Sequence, residues 1–426
     1  MASKGAGSFA EDTMKVVVVG KGGREHALAA KLLESDIVKE LWVCPGNPGM
    51  QKMGIQCKTD VETPEAIATF CVENKISLVV VGPEAAILSN LKVNLERQGI
   101  ACFAPSKEVA QLESSKLFCK GILHDAEVPT AKCVVSYSEE EALETLSQHD
   151  FSEPIVIKAD GLAQGKGVSV CESLSKAQEA VRTLGRQYGF PLLLEECLLG
   201  QELSAFALCD GEDFVLLGTA CDYKRISSEV FSANTGGMGA YSPCDFISTQ
   251  DETEIKNIFA KTLSCLKRKK LSYQGFLFAG LMKTSRGLFV LEYNVRMGDP
   301  ETQALLPRIR SDLGKLLVSA VTHELKGQTC ELSSQWSVHV VATSKGYPQA
   351  NMDLGHSISL PSWDGLSTRL YFSGIKELNQ TLVNSGGRVL GVTALGENKE
   401  SARKNAYTDI RKISFNGMYM REDIAE

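Results

Sequence analysis

No apolar run in this chain of 426 residues reaches the roughly 18 that a membrane-spanning helix needs, so the pattern holds no helical membrane span. An excess of positive charge is missing too. The 45 Lys and Arg stand against 52 Asp and Glu, a formal net charge of −7. No broad basic field is there to draw in a nucleic-acid backbone, although a local basic pocket for a small phosphate stays open. The 13 cysteines are odd in number and contain no CxxC pair. That excludes a complete disulfide framework and the usual zinc spacings, and points to reduced, buried thiols in a cytoplasmic protein. Residues 1–13 lack an apolar core and so do not read as a signal peptide. They are expected to form a disordered extension, with Met14 as the natural start.

What is there is ordinary globular composition, 43% hydrophobic and 23% charged. The length calls for several domains. Lys15–Val19, Glu40–Cys44 and Ser77–Val81 are short apolar runs. They end in Gly20-Lys21-Gly22-Gly23, Pro45-Gly46-Asn47 and Gly82-Pro83-Glu84, with helical stretches between. This alternation predicts a parallel sheet with crossover helices, whose ligands gather at the carboxyl ends of the strands. The domain runs from 14 to 110. From Gln111 a helix is expected through about His124. A mixed domain follows to 329, with a lid-bearing part at 130–196 and a hairpin of Phe276–Lys283 and Leu288–Asn294. Residues 330–426 read as a smaller third domain with strands at Ser337–Ala342 and Arg388–Thr393.

Gly20-x-Gly22-Gly23, between a strand and a helix, offers free backbone N–H groups and a helix N-terminus to an anion. A tight turn without a ligand remains open. A dinucleotide is disfavoured, because Glu25 stands where a third glycine belongs and the second strand ends in Val43-Cys44-Pro45 rather than an acid. The second glycine loop is stronger. Ile155–Lys158 leads into Ala159-Asp160-Gly161-Leu162-Ala163-Gln164-Gly165-Lys166-Gly167 and then into Val168–Cys171. Glycines between two strands suit a flexible cover over phosphates, and the lysines suit their charge. This is not a Walker loop, since no Ser or Thr follows the lysine and no helix follows the loop. In Leu291-Glu292-Tyr293-Asn294-Val295-Arg296, alternation puts Glu292, Asn294 and Arg296 on one face if the strand persists. A carboxylate and an amide oxygen suit magnesium, which keeps waters and takes nucleotide phosphates. A guanidinium beside them suits an anion or a developing charge. The run Asn234-Thr235-Gly236-Gly237-Met238-Gly239, preceded by Asp222-Tyr223-Lys224-Arg225, suggests a close backbone approach to a ligand or else a mobile surface loop.

Taken in order, GKGGREHA, PGNPGM, VVVGPEA, QLESSK, KADGLAQGKGV, EECLLGQELS, NTGGMGAYSP and LEYNVRMGDPE resemble the glycinamide ribonucleotide synthetases of the ATP-grasp superfamily. SKGYP at Ser344–Pro348 and GGRVL at Gly386–Leu390 extend the resemblance to the C-terminal part. One segment departs from it: the family's acidic, glycine-containing stretch before NTGGMGAY is replaced here by Ile226–Ala233.

The resemblance implies an α/β chain: an ATP-grasp fold with an N-terminal parallel-sheet, Rossmann-like domain and a small C-terminal α+β domain. It implies ATP-dependent ligation of glycine to 5-phosphoribosylamine through glycyl phosphate, with Mg2+ or Mn2+. It assigns Lys116 and Lys158 to the ATP phosphates, and Gly161, Gly165, Lys166 and Gly167 to the cover. Glu195, Glu196 and Leu198 fall to adenine, Glu202 to ribose, and Glu292 and Asn294 to the metal. Arg296 is assigned to the acyl phosphate, with Asp222 and Lys224 nearby. Gly22, Gly23, Arg24, Glu25, Gly46, Asn47, Gly82, Pro83 and Glu84 would form the phosphoribosylamine site, with Asn234, Thr235, Gly236, Gly237, Met238 and Arg388. A cytoplasmic monomer acting on small molecules is expected, without nucleic acid or membrane and with at most transient contact with neighbouring purine-pathway enzymes. Two other readings are another ATP-grasp carboxylate–amine ligase, which the N-terminal motifs disfavour, and a non-catalytic nucleotide-binding regulator, which the intact lysines, Glu292, Asn294 and Arg296 disfavour.

Overall fold

Strands that read as uninterrupted apolar runs need cover on both faces. The first sheet meets that need in the computed structural model, which describes residues 14–162, 167–229, 232–361 and 368–426. Its strands are β1 (Met14–Gly20), β2 (Val38–Pro45), β3 (Gln56–Cys57), β4 (Leu78–Val81) and β5 (Ala101–Phe103), all parallel, in the order β3-β2-β1-β4-β5. Val16, Val17 and Val18 are fully buried. Each such side chain contributes about 1.5–3 kcal/mol when taken from water. The order reverses beside β1, whose neighbours β2 and β4 lead to opposite edges. The loops after β1, β2 and β4 therefore converge at one end of the sheet.

A second sheet carries β6 (Cys133–Ser136), β7 (Ile155–Ala159), β8 (Val168–Cys171) and β9 (Leu192–Glu196), antiparallel, in the order β6-β9-β7-β8. Helices Glu139–Ser147 and Leu174–Tyr188 cover one face and bury Leu146, Val181 and Leu184 with Ile157 and Leu194.

The largest sheet holds β10 (Gln201–Asp210), β11 (Phe214–Asp222), β12 (Gly239–Ser242), β13 (Gln274–Thr284), β14 (Gly287–Asn294), β15 (Trp336–Thr343) and β16 (Thr368–Phe372). The two-stranded pair β17 (Ile375–Leu378) and β18 (Thr381–Asn384) stands apart from it, and β19 (Arg388–Gly396) returns to it. The order is β14-β13-β10-β11-β12-β15-β19-β16. The C-terminal strands thus continue the central sheet through the pairing of β12 with β15. The sequence gives no sign of this, because the two strands are almost a hundred residues apart.

The single helix expected from Gln111 to His124 is two helices, Gln111–Ser114 and Lys116–Asp125. Ser115 breaks it with extended backbone (φ −136°, ψ 113°), and its hydroxyl caps the second helix by accepting from Phe118 N. Asp160 supplies the reason. Its carboxylate accepts from Leu117 N and from the Ser115 hydroxyl, each at 3.2 Å, so the helix start is tied to the end of β7. All thirteen cysteines are free and most are buried. Among the described residues no helix is long and apolar enough to cross a membrane.

Candidate active site

The antiparallel pair β13–β14 decides where the first site carboxylate points. Leu281 faces Val290, but Gly280 faces Glu292, so Leu291 is an extra residue in β14. Leu288 and Val290 are fully buried. Without the bulge, Glu292 would share their face and enter the core. With it the parity switches, Tyr293 goes inside and Glu292 opens into the cleft. There Glu292 lies among Lys224, Lys158 and Lys116, and its own side chain bonds Asn294. The surrounding protein would raise the Glu292 carboxyl, but the three ammonium groups hold it below the usual range. Crowding by protein lowers the Lys116 ammonium, with Glu292 opposing.

Two further acids complete this floor. Glu195, 2% exposed at the end of β9, pairs with Lys158 at 2.8 Å and Lys120 at 3.1 Å. Lys224 pairs with Glu202. Burial would lower the Lys224 ammonium, but Asp222, Glu202 and Glu292 raise it well above its ordinary value. Around Asp222 the protein, with Glu301 and Glu202, pushes the carboxyl up against the pull of Lys224. Lys116 Nζ donates to Gly161 O at 2.8 Å, which joins the helix Lys116–Asp125 to the start of the glycine loop. Residues 163–166 of that loop, including Gly165 and Lys166, lie outside the described residues. The Glu196 side chain turns elsewhere, toward Arg286 (3.2 Å) and Lys132 N (3.0 Å), so this position can offer a base only its backbone.

Arg296 lies past the end of β14 but still comes to the Asn294 side. Its Nη2 donates to Asn294 Oδ1 at 3.1 Å and to Glu113 Oε1 at 2.8 Å, and its Nη1 donates to Met297 O at 3.3 Å. Among the described residues its buried Nε has no hydrogen-bond partner, and Glu84 Oε2 lies 3.7 Å away. A buried donor left unmatched costs stability, which the nearby Glu84 carboxylate offsets only in part.

Glu84 links this floor to the N-terminal loops. Arg24, 8% exposed, donates through Nε to Glu25 Oε1 at 2.5 Å and through Nη1 to Met297 O at 3.2 Å. Glu25 also accepts from Gly22 N at 2.8 Å. A Cβ on Gly82 would lie 2.2 Å from Glu25 Oε1, so a larger residue there would have to push the buried Glu25 side chain aside. Asn47 has every polar atom engaged: Nδ2 donates to Lys21 O and Phe372 O, and Oδ1 accepts from Gly49 N and Met50 N. This amide is therefore engaged in holding its own loop.

The run from Asn234 to Met238 sits beside these loops. Thr235 N and Oγ1 both donate to Lys224 O, at 2.7 and 2.9 Å. Gly237 adopts φ +112° against Pro300. Met238 is fully buried, so its side chain anchors the run from below. Arg388 Nη1 donates to Gly236 O (2.7 Å) and Asp299 O (2.6 Å) and pairs with Asp299 Oδ1 (3.1 Å). The divergent stretch 226–233 is closed at its base, where Ile226 N donates to Ala233 O at 2.9 Å; Val230 and Phe231 lie outside the described residues.

Three family models of phosphoribosylglycinamide synthetase match most of the chain. The N domain covers 14–113, the ATP-grasp domain 114–302 and the C domain 337–426. The chain belongs to the phosphoribosylglycinamide synthetase family. The phosphoribosylamine–glycine ligase of Caldanaerobacter subterraneus is 39% identical over 97% of this chain and 99% of its own length. The human trifunctional purine biosynthetic protein adenosine-3 is 37% identical over 96% of this chain and 41% of its own length. The crystal structure of the phosphoribosylamine–glycine ligase of Thermotoga maritima superposes with a TM-score of 0.80 at 32% identity, covering 96% of this chain and all of that one. A Campylobacter jejuni biotin carboxylase shares the fold alone, with a TM-score of 0.72 at 13% identity.

As a phosphoribosylglycinamide synthetase family member the chain is an ATP-grasp ligase of purine biosynthesis. Among the described residues no cluster of three or more His, Cys, Asp or Glu could hold an ion unaided. The pair Glu292 and Asn294 fits a hard cation that fills its remaining positions with water and phosphate oxygens. Four residues that the structure sets against predicted site residues escaped the sequence reading: Glu113, Lys120, Asp160 and Asp299. Lys120 had a signal, since it stands one helical turn after Lys116 on the same face. Asp299 follows the Arg296 motif directly. Glu113 had none beyond its place in QLESSK, because its bond to Arg296 spans 183 positions.

Proposed function

We propose that this site joins glycine to 5-phosphoribosylamine, giving glycinamide ribonucleotide, ADP and phosphate by way of glycyl phosphate. The observation that carries the reading is the cleft floor. Glu292 and Asn294 lie beside Lys116, Lys158 and Lys224, with Arg296 donating to Asn294. Hard oxygen donors ringed by ammonium groups suit a polyphosphate with its cation. A carboxylate is a poor electrophile, and phosphorylation gives it a leaving group. Catalysis is then largely positioning and charge neutralisation.

In this reading Lys116 and Lys158 bind the ATP phosphates, and the glycine loop that begins at Gly161 is their cover. The segment from Glu195 to Leu198 receives adenine through its backbone, and Glu202 receives ribose. Glu292 and Asn294 hold magnesium or manganese, which when bound screens the phosphate charge. Arg296 steadies the anionic acyl phosphate and the tetrahedral species that follows it. The loops at Gly22–Glu25, Gly46-Asn47 and Gly82–Glu84, with Asn234–Gly237, Asp222, Lys224 and Arg388, take phosphoribosylamine. The same reading makes the protein a cytoplasmic monomer acting on diffusible small molecules.

Glu292→Gln combined with Asn294→Ala should abolish ligation while the fold persists. Near-normal turnover of the double variant at saturating magnesium would overturn the metal assignment. ADP release that does not depend on both glycine and phosphoribosylamine would overturn the substrate assignment.

A further inference from the structure

The segment Tyr419–Ala425 grips the strand end that carries Asp222 and Lys224, and it does so from behind. Side chains alternate along extended backbone. Asp222 and Lys224 belong to the acidic and basic cluster of the cleft floor. Tyr223, between them, turns the other way. Its ring lies 5.0 Å from the Arg421 guanidinium, and its hydroxyl accepts from Ala425 N at 2.9 Å. Arg421 Nη1 donates to Arg225 O at 2.9 Å, and Tyr419 OH donates to Ile226 O at 3.0 Å.

Arg421 is itself held fast. It is 8% exposed, and its Nε and Nη2 bind both oxygens of Asp423, at 2.8 and 2.5 Å. Tyr407 OH donates to Arg421 O at 2.6 Å, so the helix Lys399–Ile410 anchors the segment. A planar guanidinium fixed by a bidentate carboxylate is a rigid support, which a flexible ammonium is not. Beyond the strand end, the Lys224 carbonyl receives both Thr235 N and Thr235 Oγ1. A shift of Tyr223 or Arg225 would therefore move Asp222, Lys224 and the glycine run together.

We propose that Arg421 is a positioning residue for the ligation step: it locks Tyr223 and Arg225 from behind and so sets the places of Asp222 and Lys224 in the cleft. The inference rests on the reading that Asp222 and Lys224 face the substrates. Misplacing such groups by about 1 Å can cost on the order of a hundredfold in rate. Arg421→Ala should lower kcat about tenfold or more and raise KM for phosphoribosylamine, with ATP affinity by calorimetry unchanged. Arg421→Lys keeps a cation over the ring and should recover part of the loss. Tyr223→Phe keeps the ring and loses only the acceptor for Ala425 N, so its loss should be smaller. If Arg421→Ala fails to fold, Arg421→Lys decides on the same readouts: wild-type kcat and KM in that variant would overturn the proposal. Wild-type kcat and KM in a folded Arg421→Ala protein would overturn the proposal. So would a loss of ATP affinity equal to the loss of rate, which would mean general loosening. Lys224→Met separates the two readings. If it is as active as wild type, the site assignment fails; if it is inactive while Arg421→Ala is normal, only the clamp fails.

Discussion

Arg296→Lys tests the charge-stabilising part of the site most sharply. The guanidinium makes three hydrogen bonds, to Glu113, Asn294 and Met297 O, and directs a fourth donor, the buried Nε, toward Glu84. A lysine ammonium keeps the charge but reaches at most part of this set from one point. Burial already pushes the Glu113 carboxyl up despite Arg296. Losing the fork leaves that carboxylate poorly matched, at a stability cost of about 1–3 kcal/mol. The larger effect should be kinetic. Removing a preorganised donor from a developing oxyanion costs on the order of a hundredfold in kcat. That is about 2.7 kcal/mol in the barrier. ATP affinity, set by the lysines and the adenine segment, should change little. The measurement is paired: calorimetry for ATP, and turnover with glycine and freshly generated phosphoribosylamine. A variant that binds ATP poorly yet turns over normally at saturating ATP would refute the reasoning and make Arg296 a nucleotide contact.

Three further outcomes are expected. Burial lowers the His26 and His339 imidazoles from 6.5 to about 3. Between those values the unfolded chain takes up protons that the folded chain refuses, so stability should drop as pH falls from 6.5 toward 3 and be unaffected by these groups above 6.5. Imidazole resonances that titrate near 6.5 in the folded protein would contradict this. Gly82→Ala drives a Cβ to 2.2 Å from Glu25 Oε1, so it should lower stability by about 1–3 kcal/mol in urea melts; an unchanged midpoint would mean that Glu25 has room to move. Lys158→Met leaves buried Glu195 with Lys120 as its one ammonium partner among the described residues and should weaken ATP binding on the order of tenfold or more; unaltered calorimetric affinity would remove Lys158 from the nucleotide site.

The sequence by itself determined the parallel first sheet, the β7–loop–β8 and β13–β14 pairs, and the family. These features are local: apolar runs, glycine turns and ordered motifs are written within short windows, and chain connectivity does the rest. It also placed Glu292 and Asn294 on one strand face, and the structure keeps that alternation, but it turns the face toward the site through a bulge that the local pattern does not show. Simple alternation would send Glu292 to the core face with Leu288 and Val290, and the bulge at Leu291 turns it outward. A bulge depends on the partner strand, which the local pattern does not contain. The break at Ser115 depends likewise on Asp160, 45 positions on. Glu113 under Arg296, Glu195 between Lys120 and Lys158, and Arg421 behind Tyr223 are contacts across the fold. Only the tertiary structure decided them, because the charge of one side chain acts on whatever folding brings within a few ångströms, and sequence distance does not set that separation.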